Sequence, residues 1–337
     1  MLYMLSDYRS PLLALPGAVA GEGVDSPVAA HYGSLAAEQR TLEAGDGFVD
    51  HSHRDVIRVS GPDRLSWLHA LTSQDFEHLA AGVQTAALVL SPRGHVEHVL
   101  CGADDGEAFV AHVEPGEGRA LVGFLESMRF LSRVEVAEIT DHVAVAWRPT
   151  GGVDATGHRT GGEGSVGAVP GRYDFVPRPR FAAYADAAGP ACGLWAFEAL
   201  RIARGEPRLG MDTDQRTIPN EAGWIGTAVH LDKGCYPGQE TVARVHNLGR
   251  PPRRLIRLHL DGSENRLPKC GSDLLDGDKA AGFVGSSARH HELGPIALGM
   301  VKRAVPVDSP LSADGIPATQ EALVDPEAGL HVRPRLR

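Results

Sequence analysis

The sequence predicts an α+β fold followed by a small C-terminal β domain. Three observations carry this. Strand, helix and hairpin patterns alternate between residues 55 and 139. A second amphipathic helix stands at 194–205. After Arg250 the texture changes to short apolar runs punctuated by glycine and proline, the pattern of a small barrel or sandwich.

The elements follow in order. Residues 1–50 are weakly patterned and read as an extension packed on the body. In "DVIRVSGPDRLSWLHALTSQDFEHL" (55–79), Val56, Ile57 and Val59 form a short strand. Ser60 or Gly61 is expected to cap a helix, with Pro62 in its first turn, where a missing N–H costs little. Two apolar runs flank "SPRG" (91–94), a hairpin signal. "AFVAHV", "GRALVGFLESM" and "RVEVAEI" then read as strand, helix and strand. The glycine-rich stretch 151–171 reads as a loop. In "LWAFEALRIARG" (194–205), Leu194, Phe197 and Leu200 share a helix face, and Gly205 is placed to stop it. "LIRLHL" (255–260) puts Ile256, Leu258 and Leu260 on one side of a strand and Arg257 and His259 on the other. A domain boundary is expected near Arg250, giving an extension (1–50), a bipartite α+β region (51–250) and a barrel (251–337).

Composition bounds the function. The 337 residues suggest two or three domains. A net charge of −10 disfavours nucleic acid as a direct ligand unless cations are gathered on one face. The four cysteines form no Cys-x-x-Cys and no disulfide framework, so a reducing, cytoplasmic compartment is expected. Asp7 precedes any apolar run and Pro16 breaks "PLLALPGAVA", which argues against a secretory signal. No apolar run reaches membrane-spanning length. There is no phosphate-binding loop, dinucleotide fingerprint or serine-hydrolase elbow.

Three stretches are chemically suggestive. In "DKGCYPGQE" (232–240), Pro237 and Gly238 suit the centre of a type II turn. If Lys233 lies on the side of Cys235, its charge favours the thiolate. The competing reading is an inert, packed thiol. "TIPNEAGW" (217–224) places Glu221 either to accept paired N–H donors from a heterocycle or as a helix-start acid on the surface. "ARVHNLGRPPRRLIR" (243–257) gathers Arg244, Arg250, Arg253, Arg254 and Arg257, either an anion-docking patch or a solvated linker. His51, His53, His290 and His291 lack a third and fourth partner at metal-ligand spacing, so no metal site is expected.

Together these residues carry a resemblance. "KGCYPGQE" is similar to the signature of the YgfZ folate-binding proteins, a branch of the glycine-cleavage T-protein (aminomethyltransferase) superfamily. "GPDRLSWLHALTSQD" (61–75), "ALRIARGEPRLGMD" (199–212) and "IPNEAGW" (218–224) support it, and the match spans roughly residues 50–260. The resemblance implies a three-domain cloverleaf of the T-protein type, with two α+β folate-binding domains and a C-terminal β-barrel. It also implies tetrahydrofolate or a derivative in a central channel, pterin inside and glutamate tail outward. Glu221 matches the carboxylate that contacts the pterin. Tyr236, Gln239, Glu240, Arg244 and Arg254 join it as expected folate-binding residues, the arginines toward the anionic tail. Cys235 becomes the working thiol, with Lys233 stabilising its thiolate.

One departure matters. Where T-proteins carry an Asp-Asp pair, "GHVEHVL" places Glu97 and His98. The longer Glu97 moves its carboxylate by about an ångström, enough to damage a positioned reaction. YgfZ members also lack that acid pair and carry the cysteine motif, so the resemblance implies a folate-binding accessory protein for iron–sulfur cluster assembly or repair, and through it tRNA modification. Its expected partners are folate and iron–sulfur enzymes or assembly factors, without direct nucleic acid or membrane. The alternatives are a tetrahydrofolate-dependent one-carbon transferase using Glu97, and a non-enzymatic folate-sensing module.

Overall fold

The computed structural model describes residues 8–150 and 171–330. Of the expected loop at 151–171, all but Gly171 lies outside the described residues, and Gly171 begins a strand instead. The chain forms two compact units. The first holds β1 (Val19–Ala20), β2 (Ala29–His31), α1 (Leu35–Glu43), β3 (Phe48–Asp50), β4 (Asp55–Ser60), α2 (Arg64–Leu71) and most of the hairpin β5 (Gln84–Leu90) and β6 (Val96–Asp104). It continues through β7 (Ala108–Val113), α3 (Gly118–Ser127), β8 (Glu135–Glu138), β9 (Val143–Pro149), β10 (Gly171–Pro177), α4 (Phe181–Ala187) and β11 (Ala191–Cys192). One sheet runs β5-β6-β7-β4-β8 and another β10-β9-β3-β11. In the first, β4 pairs antiparallel with β7 and β8, and its Val56, Ile57 and Val59 are fully buried.

Two expectations change here. The opening 50 residues supply β3 to the interior of the second sheet, where Phe48 packs with Ala144, Ala146, Val176 and Phe181. A strand of three residues is too short for alternation to show in sequence. The α2 cap is Asp63, not Ser60 or Gly61, and Asp63 makes no side-chain cap bond. Its carboxylate accepts instead from the Arg133 guanidinium at 2.6 Å and backbone N–H at 2.8 Å, and those bonds pull its pKa down to about 2.

The second unit takes the hairpin end 88–97 together with residues 198–330. It holds most of α5 (Leu194–Arg204), α6 (Gln239–Leu248), and β12 (Arg253–Leu260), β13 (Asp273–Asp276), β14 (Lys279–His290), β15 (Gly294–Lys302), β16 (Leu311–Ala313) and β17 (Ile316–Ala322). Gly205 stops α5 at φ 76°, as its position suggests. The six strands close into a barrel in the order β12-β15-β14-β13-β16-β17. Its core is Ile256, Leu258, Leu260, Leu274, Val284, Val301, Leu311 and Ile316. From β12, Ile256, Leu258 and Leu260 enter that core, which is the alternation read in "LIRLHL".

A buried ion network bolts α5 to the barrel. Asp212 accepts from Arg201 Nη1 at 3.0 Å, the Arg208 N–H at 2.8 Å and the Ser286 N–H at 2.6 Å. Arg201 also pairs with Glu198, and the two acids hold its pKa up against the opposing effect of burial. Among the described residues no helix is long and apolar enough to cross a membrane.

Candidate functional site

The second unit brings three of the suggestive stretches together. In the first of them, the Gln239 N–H donates to the Tyr236 carbonyl at 3.3 Å, and Gly238 sits at φ 80°, ψ −5°. That is the type II turn expected from Pro237–Gly238. Gly238 is also the N-cap of α6. Its lack of a side chain is required twice over. The φ is left-handed, and an added Cβ would lie 2.6 Å from the Ser91 carbonyl oxygen and 2.9 Å from Gly94 Cα.

The partner surface is the hairpin turn "SPRG". Gly94 N–H donates to the Ser91 carbonyl at 2.8 Å, and Ser91 Oγ accepts from the His95 N–H at 3.1 Å. A Cβ on Gly94 would meet Thr241 Cβ at 2.7 Å. Two glycines facing each other therefore let the hairpin rest directly on the first turn of α6. The hairpin is held on its other side by the Val96 N–H, which donates to the Thr217 carbonyl at 2.9 Å.

Thr217 leads into the 3-10 turn Pro219–Glu221. Glu221 is nearly sealed, with 2 % of its side chain exposed. Its Oε2 accepts from the Ile218 N–H at 3.1 Å and from Arg253 Nη2 at 2.8 Å, and its Oε1 accepts from Arg253 Nε at 2.9 Å. Glu221 thus does accept a fork of paired N–H donors, but they come from Arg253. Arg253 also donates to Asp214 at 2.7 and 3.0 Å. Burial raises the Asp214 carboxyl, yet Arg253 and Thr217 pull it down to about 2. Asn220 Nδ2 donates to the Val242 carbonyl at 3.4 Å, tying this turn to α6.

The other expected residues divide by exposure. Lys233 is 7 % exposed and lays its ammonium 4.6 Å from the centroid of the Tyr236 ring, a cation–π contact. Tyr236 is buried, which raises its pKa to about 12. Cys235, between them, is exposed. Lys233 and Cys235 are thus placed differently, one packed on Tyr236 and the other facing solvent. Gln239 opens α6. Glu240 and Arg244 pair with each other at 3.1 Å on its exposed face.

The arginine patch is not one surface. Arg253 goes to the carboxylates, while Arg254 is 1 % exposed inside the barrel end. It donates there to the Val305 carbonyl at 2.9 Å and Gln320 Oε1 at 3.0 Å. Arg254 is therefore not presented to an anionic tail. The same alternation that buries Ile256, Leu258 and Leu260 carries Arg254 inward. Glu97 and His98 alternate as well. Glu97 is exposed, whereas burial lowers the pKa of His98, which lies 3.5 Å from Glu117. Consecutive strand residues point to opposite faces, so the two do not form an adjacent acid–base pair. Asp214 and the glycine-to-glycine contact were not legible as parts of this site from spacing alone. The sequence signal for the contact was a glycine in each turn, Gly94 closing one and Gly238 at the centre of the other.

No family model matches the chain. A candidate transferase of Arabidopsis thaliana chloroplasts is 25% identical over 303 residues, 80% of this chain and 69% of that protein. An aminomethyltransferase of Nostoc is 23% identical over 87% of this chain and 86% of that one. One from Rubrobacter xylanophilus is 26% identical over 81% of this chain and 79% of its own. Among solved structures, the glycine cleavage system aminomethyltransferase T of Bartonella henselae superposes with a TM-score of 0.73. That match covers 94% of this chain and 97% of that chain at 19% identity. The chain therefore has the aminomethyltransferase T fold.

Proposed function

We propose that the protein binds a reduced folate and acts as an accessory protein for iron–sulfur cluster assembly or repair, and through it iron–sulfur-dependent tRNA modification, with Cys235 as its working thiol. The observation that carries this reading is the setting of Cys235. A cysteine kept only for packing is buried, as Cys192 is, where burial raises its pKa to about 12. Cys235 instead faces solvent, between the buried Lys233 and Tyr236, just before a turn locked onto the hairpin. Such a thiol is accessible to a partner without any unfolding.

The folate half of the reading is supported by the shared fold and by the paired-donor geometry at Glu221. An aminopyrimidine edge offers one carboxylate the same fork of N–H donors that Arg253 supplies. A pterin held by Glu221 would have to compete with Arg253 for that carboxylate, and Asp214 would remain to Arg253 as a partner. The test of the thiol role is the activity of iron–sulfur enzymes in cells lacking the protein. Wild type is expected to restore it and Cys235→Ser is not. Full restoration by Cys235→Ser would leave the folate-sensing module as the better reading.

A one-carbon transferase is the second reading, favoured by the similarity to aminomethyltransferases and by the exposed Glu97 carboxylate in the same unit as Glu221. It predicts turnover of an aminomethyl donor with tetrahydrofolate that Glu97→Gln abolishes. Absence of turnover by folate-binding wild type would remove it.

A further inference from the structure

We propose that the end of the barrel beside residue 250 is an anion-binding site for a compact group carrying two or more negative charges, from a phosphate ester or a run of carboxylates. A cavity of about 410 Å³ opens there, lined by Arg250, Pro252, Lys302, Arg303 and Ala304. Three of its five lining residues are cations, in a chain whose net charge is −10.

The charges are poorly compensated within the protein. Lys302 stands directly opposite Arg253 in the β12–β15 ladder, a like-charge pairing that is unfavourable unless each member finds a counter-charge. Arg253 has two, Glu221 and Asp214. Among the described residues the Lys302 ammonium donates to the Ala280 carbonyl at 2.7 Å, and Arg303 Nη1 donates to the Arg250 carbonyl at 3.3 Å. Arg250 lies 3.9 Å from Glu327, in a pair exposed on both sides. Among the described residues no other ion pair engages these three cations.

Backbone geometry adds an independent observation. Arg250 has φ 68°, a left-handed conformation rare for any residue but glycine. Such a conformation costs free energy and persists only where the surrounding structure holds it, and residues of this kind cluster at ligand-binding sites. The site is shaped for an anion with some body. The Arg and Lys stems, Pro252 and Ala304 give it apolar walls, and the guanidinium forks match phosphate and carboxylate oxygens alike. This inference does not rest on the folate reading.

The experiment is calorimetric titration of the full chain with inorganic pyrophosphate and, separately, with triglutamate, at low and at physiological salt. At least one probe is expected to bind, more weakly at higher salt. The exposed pair of substitutions Lys302→Gln and Arg303→Gln is expected to weaken it by about tenfold or more. Arg250→Gly is expected to weaken it similarly while leaving the melting temperature unchanged or higher, because glycine suits the left-handed φ. Preference for pyrophosphate upholds the site with phosphate as its source; preference for triglutamate upholds it with carboxylates. Failure of folded wild type to bind either probe at low salt would overturn the proposal. So would unchanged affinity in the doubly substituted protein.

Discussion

Gly238 is the residue on which the site's geometry most depends. Its left-handed φ alone disfavours a Cβ by about 1–2 kcal/mol, and the Ser91 carbonyl and Gly94 block the space that Cβ would take. Gly238→Ala is expected to lower stability by about 2–4 kcal/mol in chemical denaturation. Cys235→Ala, at an exposed position, is expected within about 0.5 kcal/mol of wild type in the same measurement. Arg253 gives a prediction with a definite sign. If it competes with the pterin for Glu221, Arg253→Gln tightens tetrahydrofolate binding. Weaker binding by a folded Arg253→Gln protein would show that the arginine positions Glu221 instead. The neighbouring arginines show how far sequence carries at this scale. The alternation of "LIRLHL" extends back to put Arg254 inside and Arg253 outside, so that division was available in the sequence. Which carboxylates Arg253 would meet was not, because Asp214 and Glu221 are 39 and 32 residues away along the chain.

At the scale of elements, α5 is attached to the barrel strand β14 through Asp212 and Ser286. Asp212→Asn leaves the buried Arg201 with less counter-charge, a change of the kind that costs about 3–5 kcal/mol, and its denaturation midpoint should fall accordingly. Strand β7 carries a different device. His112 is buried, its ring 4.1 Å from that of Tyr173, and neither ring nitrogen has a hydrogen-bond partner among the described residues. Burial, helped by Arg54 and His53 and opposed by Glu114, holds its pKa well below the ordinary histidine value. The folded form therefore keeps His112 neutral while the unfolded chain takes up a proton below about pH 6.5. Its contribution is fully present above that value and is lost as pH falls toward the folded pKa. His112→Phe is expected to show a shallower loss of stability than wild type between neutral and mildly acidic pH. An identical slope would mean that other groups set the acid limb. Elements with several turns or alternations, such as α3, α5 and β12, were readable in sequence. Strand β3 and the Asp63 cap were not, because one is three residues long and the other gives its carboxylate to Arg133.

For the whole molecule, the sequence pattern anticipated an α+β region and a terminal barrel, and the chain has both, in the aminomethyltransferase T fold. Periodicity conveys which faces are buried, whereas a candidate site assembled from a hairpin end, a 3-10 turn and a helix start depends on contacts between segments far apart in sequence. On the proposal above, the protein holds a reduced folate at Glu221. This is tested most directly by titrating the purified protein with tetrahydrofolate and following tryptophan fluorescence, beside Glu221→Ala and Cys235→Ala. The account predicts saturable, micromolar binding that Glu221→Ala loses and Cys235→Ala keeps. Folded wild-type protein that binds no folate, or binds it equally well without the Glu221 carboxylate, would contradict it.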